Sequence, residues 1–368
     1  MYKKLILPLL LASQLALAAP AQPETQPETP LRGPLGNIAV NAEQKTLLSA
    51  EEVAQVHRLA QQRGKRFKAA LVWHGSSNWV NALTQGAKQT FSQLGIEVVA
   101  ETDAQYDPAK QAADIENVMA LKPDIVLSLV IDSTSAANSY RAAVDQGSKL
   151  VLLSNPIRGF APGKDYVGIV TDDMRGMGVA AAEMTRDAIG GQGAIGIIYH
   201  DADYFITNNR DQAFRDTVQQ GRKGTDKINI AVERGFTKES ETSNIAAAMV
   251  LQHPELKAIY VAWDAAAEGV IEGLRSMGRG DIKVITHDLG VNNLVDMAMN
   301  GSMYGTIADR PFEIGQAMAR LGVYGLLKKP APAFSVVGFD KVQRENIRSI
   351  WSSAYRTELP ILLDKALQ

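Results

Sequence analysis

Short apolar runs alternate with longer amphipathic stretches along this chain from residue 68 onward. Runs that are apolar at consecutive positions suit strands buried on both faces, and the stretches between them have helical spacing. The strands predicted in the first series are 69–73, 96–100, 125–131, 150–153 and 167–170. The helices predicted between them are 79–94, 108–121 and 133–146. This βαβ order predicts a parallel sheet with helices on both faces.

A second series of the same kind follows in the C-terminal half. Its predicted strands lie near 194–199, 228–232, 258–263, 282–287 and 303–308, with helices near 208–221, 241–252, 265–277 and 289–300. We therefore expect the α/β class, with two doubly wound parallel-sheet lobes joined by a hinge. The predicted N-terminal lobe is 66–172 plus 310–338, and the C-terminal lobe is 173–309 plus 339–368. Open sheets bind ligands at the carboxyl ends of their strands, which places the expected site between the lobes.

The first residues have the pattern of a secretory signal peptide. Lys3 and Lys4 precede a short apolar run, and Ala16 and Ala18 give the small-residue pattern of a cleavage site. A membrane anchor is the alternative, but the run is shorter than the roughly 20 residues that span a bilayer. We predict a signal peptide over 1–18, a proline-rich spacer over 19–42 and an amphipathic helix over 43–64.

Composition excludes several classes of function. The 368 residues are 46% hydrophobic and 21% charged, enough for more than one packed domain. Thirty-eight basic against 40 acidic residues leave a formal charge of −2 and no basic surface for a nucleic acid, so none is expected as a partner. The absence of cysteine removes disulfides, thiolate metal sites and cysteine nucleophiles.

Two motif-like segments do not meet the requirements of their motifs. Gly191-Gln-Gly193-Ala-Ile-Gly196 fits a dinucleotide pattern but precedes a predicted strand and opens no helix, so it is interpreted as a turn. The segment from Asp201 begins like a calcium loop, yet Ile206 stands where that loop requires glycine. We expect no metal, no cofactor and no catalytic residue.

Polar and aromatic residues follow most of the predicted strands. An indole can pack on the C–H face of a sugar while carboxylate, amide and guanidinium groups bind its hydroxyls. The alternative is that Trp73 belongs to the core and that the acidic residues are helix N-caps. Asp264 and His287 also follow strands, and whether they contact ligand is left open. The candidate ligand contacts found in this way are Trp73, Ser77, Trp79, Asp132, Asn155, Trp263, Asp288 and Asp309.

Several segments, taken in order and spacing, resemble the type I periplasmic sugar-binding proteins of the ribose-binding group. The resemblance covers almost the whole chain from residue 66. It implies the two-lobe hinged fold of that group. The segments that carry it are 70–95, 107–111, 167–173, Asn209-Arg210 with Phe214, His253-Pro254, 263–274 and 301–315.

The resemblance also implies roles for individual residues. It places a ring-stacking aromatic at Trp79, a ligand-clamping arginine at Arg210, a second-lobe aromatic at Phe236, a further contact at Trp263 and a cleft aspartate at Asp288. Asp309 falls where the ribose group has glutamine, and Ser154-Asn155 replaces an Asp-Arg pair. The periplasmic autoinducer-2 receptor branch is the better match for Asn155, Trp79, the 204–210 stretch, the long N-terminal extension and the residues after 340, whereas residues 287–289 and 309–310 differ from its pattern. A furanose-like or open-chain polyol would suit such a pocket.

The resemblance implies a monomeric periplasmic protein that captures a small sugar, polyol or furanose-like signal and presents it to a membrane ABC importer. One alternative is a sensor subunit that delivers the ligand state to a sensor kinase or chemoreceptor. A second alternative is an exported carbohydrate-processing enzyme that uses Asp288 and Asp309 as acid and base.

Overall fold

The structure is a computed structural model that describes residues 30–31, 38–39, 47–202, 204–221 and 226–368. The signal peptide expected over 1–18 lies outside the described residues, as does most of the spacer expected over 19–42. Within that stretch, Pro30–Leu31 (β1) and Ile38–Ala39 (β2) form a short antiparallel pair. Across the described residues, no helix combines the length and the hydropathy of a membrane span.

The N-terminal helix α1 (Ala50–Gln62) packs on the first lobe. It begins later than residue 43 because Ser49 caps it: the Ser49 hydroxyl accepts from the Glu52 amide, and the Glu52 carboxylate accepts from the Ser49 amide. Val56 is fully buried in the lobe core, and Lys329 pairs with Glu52 at 2.6 Å. The helix therefore covers the core with its apolar face, as its pattern predicts.

The first sheet contains six parallel strands. They are β3 (Lys68–Trp73), β4 (Glu97–Asp103), β5 (Ile125–Ser128), β6 (Lys149–Leu153), β7 (Gly168–Asp172) and β13 (Phe334–Val337). Their order is β13-β7-β6-β5-β3-β4, and every neighbouring pair is parallel. β5 and β7 are buried at every position, which explains their continuous apolar runs.

The second sheet also contains six strands, of which the edge strand β14 runs antiparallel to β12. They are β8 (Gln192–His200), β9 (Lys227–Phe236), β10 (Leu256–Val261), β11 (Lys283–His287), β12 (Met303–Ala308) and β14 (Asp340–Val342). Their order is β14-β12-β11-β10-β8-β9. Two mostly parallel sheets flanked by helices confirm the predicted fold class.

Helices connect the strands of both sheets. The remaining helices are α2 (Asn78–Gln93), α3 (Pro108–Met119), α4 (Ala136–Asp145), α5 (Met174–Ala188), α6 (Phe205–Gln220), α7 (Thr242–Gln252), α8 (Asp264–Ser276), α9 (Val291–Ala298), α10 (Pro311–Leu326), α11 (Ile347–Tyr355) and α12 (Ile361–Ala366). The predicted helices agree with these to within about one turn.

The chain passes between the two sheets three times. It leaves the first sheet after β7 and enters α5, returns after β12 into α10, and crosses again from β13 to β14. The first two crossings place Asp172 and Asp309 at the junction between the lobes. Acidic residues thus lie where the lobes meet.

Candidate functional site

The carboxyl ends of strands from both sheets meet at a buried group of charged side chains, here called the polar cluster: Asp172, Arg210, Asp288 and Asp309. Arg210 Nη1 lies 3.9 Å from Asp172 Oδ2 and 3.8 Å from Asp288 Oδ1. Asp172 ends β7 of the first sheet, whereas Asp288 follows β11 of the second. The polar cluster therefore lies between the lobes, at the edge where the topology predicts a ligand.

Arg210 is the cation of the polar cluster, and helix α6 holds it there. Arg210 is 4% exposed, and its helix packs against α5 and against β8 and β9 of the second sheet. Burial lowers the pKa of Arg210, but the carboxylates of Asp288 and Asp172 outweigh burial and raise it. Arg210 thus stays protonated, and it is the group that makes ionised carboxylates tolerable at this depth.

Several buried polar atoms near Arg210 have no hydrogen-bond partner among the described residues. They are both carboxylate oxygens of Asp172, Nε and Nη1 of Arg210, and Oδ1 of Asn155. The three residues are only 2%, 4% and 4% exposed. Buried polar groups in folded proteins are almost always paired. Donors and acceptors left free between two lobes point to a polar ligand that completes them.

Trp79 links helix α2 to Asp309, where the chain crosses back from the second sheet to the first. Its indole Nε1 donates to both carboxylate oxygens of Asp309, at 2.8 and 2.9 Å. Its ring packs against the hydrophobic cores of both lobes. Burial raises the pKa of Asp309 well above its usual range, and the neighbouring carboxylates of Asp288 and Asp172 add to the effect. Trp79 therefore presents an apolar face beside the polar cluster, where the resemblance predicts a stacking aromatic.

Asp288 has an unusual backbone that fixes its carboxylate. Its φ is +69°, in the left-handed region that aspartate tolerates better than most residues. The Asp288 amide donates to the Ile307 carbonyl at 3.0 Å, and its own carbonyl accepts from the Thr306 hydroxyl at 2.7 Å. These bonds hold the turn after β11. Burial raises the pKa of Asp288, while Arg210 lowers it.

An aromatic group lines the second lobe at the ends of β8, β9 and β10. Phe236 and Trp263 meet edge to face at 4.8 Å, and His200 lies 5.0 Å from Trp263 and 5.6 Å from Phe236. Trp263 Nε1 donates to Glu239 Oε1 at 2.6 Å. Tyr204 continues this group, with its ring 5.8 Å from that of His200. Sugar C–H faces pack well on such aromatic walls.

Three candidate contacts from the sequence are accounted for by other roles. Trp73 lies in the first-lobe core, 2% exposed, and its Nε1 donates to Thr84 Oγ1 at 2.9 Å. Ser77 caps α2 by accepting from the Val80 amide at 3.2 Å. Asp132 is exposed and accepts from two backbone amides before α4. The structure therefore supports the core and capping interpretations for these three residues.

Three residues that sequence reasoning did not select join the site. Asp172 ends a strand that was predicted to end at 170. Tyr204 has Asn155 and Arg210 among the groups that act on its pKa, which burial raises strongly. Asp264 begins α8, and burial followed by the charge of Asp288 raises its pKa to about 8. The sequence signals for Asp172 were its place just after a predicted strand and inside segment 167–173, which carries the family resemblance.

His287 belongs to a network beneath the polar cluster. Its Nε2 lies 2.9 Å from the Tyr260 hydroxyl, which donates to Asp211 Oδ1 at 2.8 Å. Burial, followed by the charge of Arg210, holds the pKa of His287 well below its usual range. His287 is therefore neutral and adds no second cation to the site. Over the described ranges, no three His, Asp or Glu side chains are grouped to hold a metal ion.

A separate groove of about 830 Å³ lies between α2, α10 and α11. It shares no residue with the polar cluster. Its lining residues are Asn78, Asn81, Ala82, Gln85, Gln89, Phe312, Gln316, Trp351, Tyr355, Arg356 and Thr357. The polar cluster is the better candidate site because its buried donors and acceptors lack partners, whereas five of the eleven residues that line the groove are carboxamides at or near the surface.

The fold is that of a periplasmic binding protein. The sequence profile of the periplasmic binding protein domain matches residues 69–330, and the chain belongs to this family. The chain is 24% identical over 236 residues to the ribose import binding protein RbsB of Escherichia coli, which covers 64% of this chain and 76% of that protein. It is 26% identical over 230 residues to the multiple sugar-binding periplasmic protein SbpA of Azospirillum brasilense, covering 57% and 62%.

Solved structures share the same fold. An ABC transporter solute binding protein from Agrobacterium vitis, bound with α-D-tagatopyranose, aligns with a TM-score of 0.71 at 20% identity, over 80% of this chain and all of that one. AraP, an arabinose binding protein from Geobacillus stearothermophilus, aligns with a TM-score of 0.67 at 19% identity, covering 77% and 98%. These alignments confirm the two-lobe type I architecture. The likeness to the autoinducer-2 receptor branch stays a prediction.

Proposed function

We propose that this protein captures a small polyhydroxylated solute between its lobes in the periplasm and presents it to a membrane ABC importer. The observation that carries the proposal is the set of unpartnered buried donors and acceptors around Arg210 at the junction of both sheets. The relatives that serve ribose import and multiple sugar binding support the same class of ligand. We propose a role in binding and not in catalysis.

In this proposal the ligand is held by groups from both lobes. Trp79 and the aromatic wall at Phe236 and Trp263 supply apolar faces. Arg210, Asn155 and the aspartates of the polar cluster orient hydroxyl groups. Closure over the ligand by hinge motion follows from the three crossings that join the lobes.

A thermal-shift screen of the purified protein against sugars, polyols and autoinducer-2 tests the ligand class. A ligand at 100 times its dissociation constant stabilises the folded state by about 2.7 kcal/mol. We expect Arg210→Ala and Trp79→Ala to fold but to lose this shift. Arg215→Ala is the matched control, because Arg215 lies on the same helix but pairs with Glu233 at 2.8 Å. Silence of all polyhydroxylated compounds, with a shift from amino acids or amides, would overturn the proposed class.

Two further measurements test the setting and the partner. Osmotic-shock release of a protein whose first residue is Ala19 would support export through the predicted signal peptide. Ligand uptake that is lost when the gene is deleted supports the importer, whereas retained uptake with lost signalling supports the sensor alternative.

Turnover of a glycoside that Asp288→Asn abolishes would establish the enzyme alternative instead.

A further inference from the structure

The interlobe site contains more carboxyl groups than cations. Four aspartates meet there: Arg210 lies between Asp172 and Asp288, Trp79 binds Asp309, and the Asp264 side chain packs against Gly290, two residues after Asp288. Arg210 is the cation acting on three of them, Asp172, Asp288 and Asp309. The nearby Arg310 is held elsewhere by two bonds of 2.9 Å to Asp340. One guanidinium cannot balance four ionised carboxylates in a buried site.

Asp264 is the aspartate of this group that lies farthest from a compensating cation in its interactions. Its carboxylate accepts one hydrogen bond, from the adjacent Ala265 amide at 2.8 Å. No cation is among the largest influences on its pKa, which burial and then the carboxylates of Asp288, Glu268 and Glu239 raise to about 8. Glu239 is itself bound to Trp263 Nε1. Asp264 is therefore an acceptor that lacks a positive partner.

A second observation shows that the cluster is open to a ligand. Asp172 is only 2% exposed, yet neither of its carboxylate oxygens has a hydrogen-bond partner among the described residues. The separations of 3.8 and 3.9 Å between Arg210 and its two aspartates exceed hydrogen-bond distance. These acceptors require donors, and an ammonium group supplies three donors together with a positive charge. An anionic ligand would add like charge to the site.

We propose that the ligand is a polyhydroxylated compound that carries a protonated amine, an amino sugar or amino polyol, with its ammonium group beside Asp264 and Asp288. This inference rests on the proposed function, since it specifies the solute that the same cleft captures. Arg210 and Asn155 would then orient hydroxyl groups at the opposite side of the ligand. The net negative charge of the closed site would be smaller with the ligand than without it.

Matched pairs of ligands test the amine at pH 7. We would measure calorimetric affinities for D-glucosamine against D-glucose, D-galactosamine against D-galactose, and 1-amino-1-deoxy-D-ribitol against ribitol. The amine of at least one pair should bind about tenfold or more tightly than its neutral partner, and N-acetylation of the amino sugar should remove that advantage. Neutral partners that bind equally or better would overturn the amine while leaving the proposed function intact. A panel in which neither member of any pair binds would contradict both.

Proton exchange and one variant distinguish the role of Asp264. Binding of the amine in two buffers of different ionisation enthalpy should release about one proton, because the ammonium group stabilises the ionised carboxylate. Asp264→Asn should abolish both the release and the preference for the amine. Asp145→Asn, the same change at an exposed position at the end of α4, should alter neither. An unchanged preference in Asp264→Asn, or displacement of the amine by Ca²⁺ alone, would overturn the proposal.

Discussion

At the scale of single residues, Arg210 determines whether the polar cluster is stable without ligand. Arg210→Ala leaves Asp172 and Asp288 buried without their cation, and breaking a buried ion pair in this way costs about 3 kcal/mol. The loss should be larger at pH 8 than at pH 5, because carboxyls with raised pKa values must take up protons in the folded state. Urea unfolding at both pH values measures it.

The control for this prediction is Arg215→Ala, which removes a partly exposed pair with Glu233. Exposed pairs contribute about 1 kcal/mol or less. Equal losses in the two variants, or a loss at Arg210 that does not depend on pH, would show that Arg210 does not neutralise the cluster.

Asp264 gives a second prediction at this scale, from the sign of its pKa shift. Its pKa is raised from 3.8 to about 8 in the folded state, so the folded protein binds more protons than the unfolded chain between those values. Its contribution to stability is therefore lost as pH rises through that window. Asp264→Asn should match the natural protein near pH 4 and become progressively more stable up to about pH 8. Thermal unfolding of ligand-free protein from pH 4 to 9 tests this.

That stability difference should stop growing above pH 8, where Asp264 is ionised in both states. A constant difference across the whole range would contradict the raised pKa. Asp145→Asn serves again as the control, since its side chain is on an exposed helix end.

Single residues also show where sequence reasoning ends. Trp79, Arg210 and Asp288 were selected from strand ends and family resemblance, and the structure brings their side chains to one interlobe region. Trp73 was selected by the same rule but points into the core, where its indole meets Thr84. A shift of one residue along a strand moves a side chain from one face of the sheet to the other. The position of a strand in the sequence does not determine which face the side chain at its end will take.

At the scale of elements, close helix packing positions Arg210. Gly178 of α5 lies against α6 so closely that an added Cβ would overlap the Arg210 carbonyl oxygen and press on Ala213. Overpacking of this kind costs about 1–3 kcal/mol, which exceeds the ~1 kcal/mol that alanine gains over glycine in a helix. Gly178→Ala should therefore destabilise the protein and weaken ligand binding by displacing Arg210. Thermal unfolding and calorimetric binding measure the two effects.

Gly280→Ala is the matched control, because an added Cβ there meets no heavy atom within 4 Å. It should leave both stability and binding close to those of the natural protein. A Gly178→Ala protein with unchanged affinity would show that α6 tolerates the shift without moving the guanidinium.

The elements were predictable to different extents. Strands such as β5 and β7 are buried at every position, and their apolar runs indicated them directly. β13 and β14 were not predicted, because they have four and three residues and lie after a proline-rich turn. Their pairing depends on contacts with β7 and β12, which are distant in sequence. Local pattern carries no information about such partners.

At the scale of the whole molecule, the proposed closure would bend the three crossings, and we expect the bond between Trp79 and Asp309 to restrain it. The indole belongs to α2 of the first lobe, whereas the carboxylate follows β12 of the second sheet. The crossings were predicted from alternation and resemblance, and the lobe boundaries stay a prediction. This restraint was not predicted, because it joins residues that are 230 positions apart.

Trp79→Phe keeps an aromatic face but removes the donor to Asp309. Because the raised pKa of Asp309 favours its neutral form, the hydrogen bond is expected to contribute about 0.5–1.5 kcal/mol, so the ligand-free protein should shift toward an open arrangement by roughly twofold to tenfold. Small-angle scattering should show a larger radius of gyration without ligand and recovery when saturating ligand closes the lobes. Trp73→Phe is the control, since it removes an indole bond of 2.9 Å that stays inside one lobe. If both variants scatter like the natural protein, the Trp79 bond does not govern closure, and the aromatic face of Trp79 acts on the ligand alone.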